Sequence, residues 1–115
     1  MTTSNWAASL DDEGEWEPFG PPGESVGQVR WLLKPEGEHS FHAGVWKVRP
    51  DELPERAQVI SKQRESIYVL EGEVHIDIQD GPSLQLTAGD MATFAAGATA
   101  FWTVVRPYRE FFVYS

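Results

Sequence analysis

The chain has 115 residues, of which 18 are acidic, 9 basic and none cysteine, for a net charge of −9. The length fits one domain able to bury a core without covalent staples. The missing thiols exclude disulfides, zinc–thiolate sites and thiolate nucleophiles, while the acidity opposes nucleic acid and anionic membranes as partners, which need clustered Lys and Arg. No apolar run approaches the roughly 18 residues of a membrane span. Residues 1–12 lack the basic and apolar regions of a signal peptide, so a cytoplasmic location is expected.

Residues 1–27 hold Asp11, Asp12, Glu13, Glu15, Glu17 and Glu24 without any Lys or Arg. Pro18, Gly20, Pro21, Pro22 and Gly23 oppose regular structure there. Trp6, Trp16 and Phe19 are residues that a purely solvated tail does not need. An N-terminal arm is expected, laying its aromatics on the folded body or on a neighbouring subunit. For about the first ten residues the alternative is a solvated tail. Asp11-Asp12-Glu13 reads as a solvated run rather than a metal site.

Residues 28–115 carry the signals of short strands. Val29, Trp31 and Leu33 alternate with Arg30, Leu32 and Lys34 up to a turn at Pro35-Glu36-Gly37-Glu38. Phe41, Ala43 and Val45 alternate with His42, Gly44 and Trp46, apolar on both faces, up to Arg49-Pro50. Asp51–Glu55 is a proline-containing connection, and Ala57–Ser61 with Glu65–Leu70 reads as one long or kinked strand pair. Val74, Ile76 and Ile78 point one way and His75, Asp77 and Gln79 the other. Asp80-Gly81 is a strong hairpin signal. Leu84 and Leu86 alternate with Ser83, Gln85 and Thr87 before Ala88-Gly89-Asp90 turns the chain. Met91–Phe94, Phe101–Val105 and Phe111–Tyr114 complete about eight or nine strands with no helical period. The predicted fold class is all-β, a jelly roll or barrel.

Glu65 precedes Gly72 by seven positions, and Gly89-Asp90 is followed by Gly97. Gly72 and Gly97 suit tight turns at positive φ, and Asp90 can cap its turn through side-chain acceptors. In these points the chain resembles the cupin superfamily, whose members carry G-x5-H-x-H-x3,4-E-x6-G and G-x5-P-x-G-x2-H-x3-N. Glu65 and Gly72 match the end of the first motif. Gly89, Ala95 and Gly97 match the start of the second, with Ala95 where proline is usual. Gly44-Val45-Trp46, Tyr68–Glu73, Ala88-Gly89-Asp90, Trp102-Thr103-Val104 and Arg109–Val113 are similar to small cupins related to ureidoglycine aminohydrolase and ethanolamine-utilisation proteins. The resemblance spans about residues 40–115 and implies a single-domain jelly-roll β-barrel.

It also implies a metal held by imidazoles and a carboxylate, yet the imidazole positions fall on Val59 and Ser61, or on Gln58 and Ile60 with the longer gap, and on Ala100. Glu65 alone matches the ligand set. His39 and His42 face opposite sides of a strand, and His75 lies opposite Val74, Ile76 and Ile78. No His-held metal and no other cofactor are therefore expected. Glu65 should point into the barrel with Ile67 and Val69, as a general acid/base or an anchor for a polar ligand. The competing reading is a carboxylate tied to a barrel Arg, Lys or Tyr, such as Lys47 or Arg49. Trp102 is expected to wall a small-molecule pocket, or else to fill the space of a lost metal site. Trp46, Tyr68 and Phe94 are further candidate walls, although Tyr68 differs in parity from Glu65.

The expected protein binds a small polar metabolite in its barrel. The alternatives are a hydrolase or isomerase acting on a small nitrogenous or sugar-like compound through Glu65, or a non-catalytic interaction module. A homodimer is expected from the branch resembled, from the exposed sheet edges and from the tryptophan-bearing arm.

Overall fold

The computed structural model describes residues 15–20, 26–33, 42–53 and 55–115. The expectations for Trp6, the Asp11–Glu13 run, the Pro35–Glu38 turn and His39 lie outside them. The described residues form eight strands: β1 (Glu17–Pro18), β2 (Gln28–Leu33), β3 (His42–Val48), β4 (Ala57–Ile60), β5 (Glu65–Ile78), β6 (Ser83–Thr87), β7 (Met91–Phe94) and β8 (Thr99–Tyr114). A 3-10 turn at Pro50–Glu52 leads from β3 towards β4. All pairings are antiparallel, and the architecture is an all-β barrel of jelly-roll type.

The two longest strands organise the rest. β5 and β8 pair along nearly their whole length, from Glu65↔Tyr114 to Ile78↔Ala100. The free edge of β8 carries β4 at one end and β3, followed by β2 and β1, at the other. The free edge of β5 carries β7 and then β6. The pattern of apolar residues predicts separate strands at Glu65–Leu70 and from Val74 onward, and again at Phe101–Val105 and Phe111–Tyr114. Each pair is instead one continuous strand, creased in the middle. The crease is a bulge: the register shifts between Val69 and Val74, so the inward set changes from Glu65, Ile67 and Val69 to Val74 and Ile76. A bulge bends a strand and switches its facing parity without ending it. β4 likewise pairs with β8 rather than with β5.

Gly72 sits in the crease at φ +87°, where a Cβ would overlap the Pro107 carbonyl oxygen. Close backbone approach is what glycine permits there. The hairpin at Asp80-Gly81 forms as expected, with Asp80 at φ 60° and β6 returning along β5. Asp90 caps its turn as expected, Oδ2 accepting from the Thr87 N–H at 2.8 Å.

The crease folds the ladder over itself, so side chains from opposite ends meet. Trp46 on β3 touches Trp102 on the first half of β8, ring centroids 6.0 Å apart. Ile67, Val69, Val74, Ile76, Tyr108 and Phe112 complete the centre of the core. Two aromatics of the N-terminal stretch lie against this body. Trp16 is on the outer face, with Lys47 Nζ 4.1 Å from its ring centroid and the Arg30 and Arg109 guanidiniums beside it. Phe19 packs inward against Trp31, Trp46 and Phe112. Between them Glu17–Pro18 joins the sheet edge as β1, a position where proline's missing N–H is tolerated.

Candidate functional site

Glu65 opens β5, paired with Phe94 on one side and Tyr114 on the other, and its parity turns it inward with Ile67 and Val69. It is 7 % exposed. Its carboxyl lines a cavity of about 610 Å³ between the folded-over halves of the barrel. Neither cation proposed for it from the sequence is there. Lys47 alternates with the inward Trp46 and Val48, so it lies on the outer face over Trp16. Arg49, beyond the end of β3, pairs with Asp51 and Glu52 at 3.5 and 3.4 Å. No described residue hydrogen-bonds or ion-pairs with the Glu65 carboxyl, and burial pushes it up from 4.5 to about 7 because the charged form loses its hydration.

A second carboxyl shares the cavity, and the sequence reading passed over it. Glu110 on β8 lies between Trp46 and Val69 on the neighbouring strands, is 2 % exposed, and lines the same space. The Tyr108 hydroxyl donates to its Oε1 at 2.8 Å. Burial, then the nearby charge of Glu65, raises Glu110 well above the usual carboxylate range, against the opposing effect of the tyrosine bond. Burial and the two carboxyls also raise the phenols of Tyr108 and Tyr114. Glu65 is the carboxyl raised to about 7, burial favours the neutral forms of Glu110, Tyr108 and Tyr114, and the two carboxyls titrate as a coupled unit. The alternation Tyr108, Glu110, Phe112, against Arg109 and Phe111 on the other face, was the available signal. A glutamate on the apolar face of a closing strand is what marks the site.

The walls are aromatic. Trp46 and Trp102 both line the cavity, together with Phe19, Phe112 and Tyr114. Trp46 donates its indole N–H to the Val26 carbonyl at 2.9 Å, so its polar edge is already satisfied and its ring carbons remain as wall. Tyr68 departs from the expectation. It is 39 % exposed, paired across β7 with the exposed Met91, and turned outward because its parity is opposite to that of Glu65. Phe94 is buried behind Trp102, centroids 6.0 Å apart, and supports that ring rather than lining the cavity. At the rim stands Arg56, its guanidinium 4.1 Å from the Phe101 centroid and 3.8 Å from the Asp77 carboxylate.

The residues present do not fit a metal held by imidazoles. β4 and β8 set Val59 directly opposite Ala100, so two positions where the resembled motifs place imidazoles meet in space, and both are apolar. Of the other candidate positions, Gln58 is an exposed residue at the cavity's edge, Ser61 lines an adjoining cavity with Glu65 and Ile60 is 58 % exposed. His42 packs edge-on against Trp31, and His75 bonds Glu73 at 2.8 Å on the outer face. Among the described residues no three His, Cys, Asp or Glu side chains converge. The space that such a donor set would occupy is lined by Val59, Glu65 and Trp102.

Known proteins share this fold. A family model for the EutQ-like cupin domain matches residues 35–112. No curated protein sequence matches the chain. Solved structures share the fold. An RmlC-like cupin from Shewanella frigidimarina superposes with a TM-score of 0.66 at 20% identity, over 94% of this chain and 88% of that one. Iron(II) HppE superposes with a TM-score of 0.72 at 16% identity, over 95% of this chain and 60% of that one. Ectoine synthase from P. lautus gives 0.65 at 19% identity, over 77% and 63%. At these identities the likeness speaks for the fold, which hosts varied chemistries. No helix among the described residues is long and apolar enough to cross a membrane.

Proposed function

The chain belongs to the EutQ-like cupin family, and on that premise we propose that it binds a small polar metabolite inside the barrel, with Glu65 as the polar anchor and Trp46 and Trp102 as walls. One observation carries this reading: a nearly buried carboxyl without a described protein partner faces a cavity of about 610 Å³. Desolvating a carboxyl without pairing it costs stability, and a bound ligand's donor or charge would offset that cost. Small-molecule sites have this composition, mostly apolar with a few placed polar groups, in cavities of about 300–1,000 Å³. A barrel serving as a packed interaction module would have no need of the cavity. The reading is tested by calorimetric titration of a metabolite panel against the wild type, Glu65→Gln and Trp102→Leu. Ligands are expected to weaken at least about tenfold in both variants. Panel ligands that bind all three proteins equally would place binding outside the barrel.

A second reading is an enzyme, a hydrolase or isomerase acting on a small nitrogenous or sugar-like compound, in keeping with the resemblance to ureidoglycine aminohydrolase. The observation favouring it is the pair of carboxyls with separated proton affinities, Glu65 near 7 and Glu110 far above the usual range. One group poised to exchange a proton beside one that stays neutral is an acid/base arrangement. Turnover that survives Glu65→Gln would remove Glu65 from the chemistry. Homodimerisation is also proposed; exposed Ile60 and Met91, 58 and 72 % accessible, give apolar surface near the strand edges, and light scattering of the purified chain reports the mass.

A further inference from the structure

Resting on the binding reading above, we propose that the cavity selects small organic cations, ammonium-bearing molecules whose charged head sits against Glu65 between the aromatic walls. Three independent features of the cavity point there.

The first is the wall itself. Phe19, Trp46, Trp102, Phe112 and Tyr114 surround the space with neighbouring ring planes turned against one another rather than stacked: 76° for Trp46 and Trp102, 54° for Phe19 and Trp46, 44° for both Phe19 with Phe112 and Phe112 with Tyr114. Such rings enclose a volume. The negative face of each aromatic quadrupole attracts a cation and repels an anion, and quaternary ammonium groups are bound in this way in aromatic cages. An uncharged apolar group gains area burial from the same walls but not this term.

The second feature is charge. Both carboxyls of the cavity, Glu65 and Glu110, belong to buried residues, and no described cation pairs with Glu65. The cationic side chain among the described lining residues is Arg56, and its charge is committed to the Phe101 ring and to Asp77. An anionic ligand in this cavity would meet Glu65 with Arg56 as the one cationic side chain among the described lining residues. A neutral ligand would leave the Glu65 charge desolvated. A cation offsets that penalty by pairing with the charge. The net charge of −9 also raises the local concentration of cations around the molecule.

The third feature is the protonation pattern around Glu65. The titratable and charged groups that face it are Glu110, Tyr108 and Tyr114 from β8, Arg56 at the rim, and Lys62, which lines an adjoining cavity together with Glu65. Burial raises Glu110 and both tyrosines and so favours their neutral forms, which leaves Glu65 as the carboxyl whose charge the cation meets. Binding that charge takes a deprotonated Glu65, and affinity should fall by about tenfold per pH unit once the pH drops below the value at which Glu65 titrates.

The test uses four molecules of nearly one shape: choline and 3,3-dimethylbutylamine as cations, 3,3-dimethylbutan-1-ol as the neutral form and 3,3-dimethylbutanoate as the anion. Each is titrated calorimetrically into the full chain at pH 8.5 and pH 5.5, and into Glu65→Gln and Trp102→Leu at pH 8.5. At least one cation should bind at least about tenfold more tightly than the alcohol at pH 8.5, and lose about tenfold or more at pH 5.5. That preference should vanish in Glu65→Gln and shrink in Trp102→Leu, which keeps apolar bulk but no π face. An alcohol or carboxylate that binds as tightly as both cations, with the binding lost in Glu65→Gln, overturns the cation selectivity and leaves the binding reading standing. Cation binding unchanged in Glu65→Gln overturns the proposal by placing the site elsewhere. If none of the four binds while members of the metabolite panel do, the cation proposal alone fails; if nothing binds, both readings fail.

Discussion

Replacing Glu65 by glutamine should change the pH dependence of stability, with a size set by the burial of one carboxyl. In the unfolded chain Glu65 loses its proton near 4.5, and in the folded chain near 7. Below pH 4.5 both states hold the proton and the folded state carries no penalty. Between 4.5 and 7 the folded state binds one proton more than the unfolded state, so stability falls as pH rises, by about 1.4 kcal/mol per pH unit. The loss attributable to Glu65 is about 3 kcal/mol, complete above pH 7. For a chain of this length that is on the order of 10 °C in Tm. Glu73 has the opposite sense: the hydrogen bond from His75 is the largest of the effects that hold its carboxyl below the usual range. The stability it contributes is lost only as pH falls below about 4.5, outside the window used here. Burial and the charge of Glu65 raise the Glu110 carboxyl well above its usual range. Glutamine preserves the shape of residue 65 and cannot ionise. Scanning calorimetry of wild type and Glu65→Gln at half-unit steps from pH 4.5 to 7.5 should therefore show curves that diverge upward in pH, with the variant the more stable at pH 7.5. Parallel curves would refute the desolvation of Glu65 and, with it, the buried anchor on which the binding reading depends.

Two further outcomes check the frame that holds the site. Gly72→Ala places a Cβ against the Pro107 carbonyl oxygen at a backbone φ of +87°, and should cost at least about 2 kcal/mol in urea denaturation; a neutral result would mean that the crease is not tightly closed. Glu110→Gln keeps an acceptor for the Tyr108 hydroxyl and should change stability at pH 6 by less than about 1 kcal/mol. Glu110→Leu strands that hydroxyl in the core and should cost about 1–3 kcal/mol. Equal losses in the two variants would remove the Tyr108 bond from the account.

Local sequence rules were enough for the fold class and for much of the local detail. Alternation of period two put His75 on the outer face, and the place of Glu65 in the resembled motif put it inside with Ile67 and Val69. The Asp80-Gly81 and Gly89-Asp90 turns were legible because Asp80 and Gly89 take positive φ, which those residue types accept more readily than others. The absence of imidazoles at Val59, Ser61 and Ala100 was also a property of the sequence, and no fold can supply a side chain the chain lacks. Those facts rest on near-neighbour geometry, which the order of residues states directly.

What the tertiary structure decided rests on long-range pairing. Whether Glu65–Leu70 and Val74–Ile78 were two strands or one creased strand depended on the β5–β8 register, which brings residues from 22 (Ile78↔Ala100) to 49 (Glu65↔Tyr114) positions apart into contact. That crease carries Trp46 to Trp102 and encloses the cavity. Lys47 and Arg49 were reasonable partners for Glu65 by position in the pattern, but the barrel turns Lys47 outward and leaves Arg49 at its exposed end. Glu110 read as one more polar residue in a closing strand until the fold set it 2 % exposed beside Tyr108 and in the field of Glu65. Periodicity shows which side of a strand a residue faces; whether that side meets water, core or another carboxyl is settled when distant strands pair. The sequence thus determined a barrel lacking histidines where a metal would be held, and the folding of that barrel made Glu65 one of two buried carboxyls in an aromatic cavity.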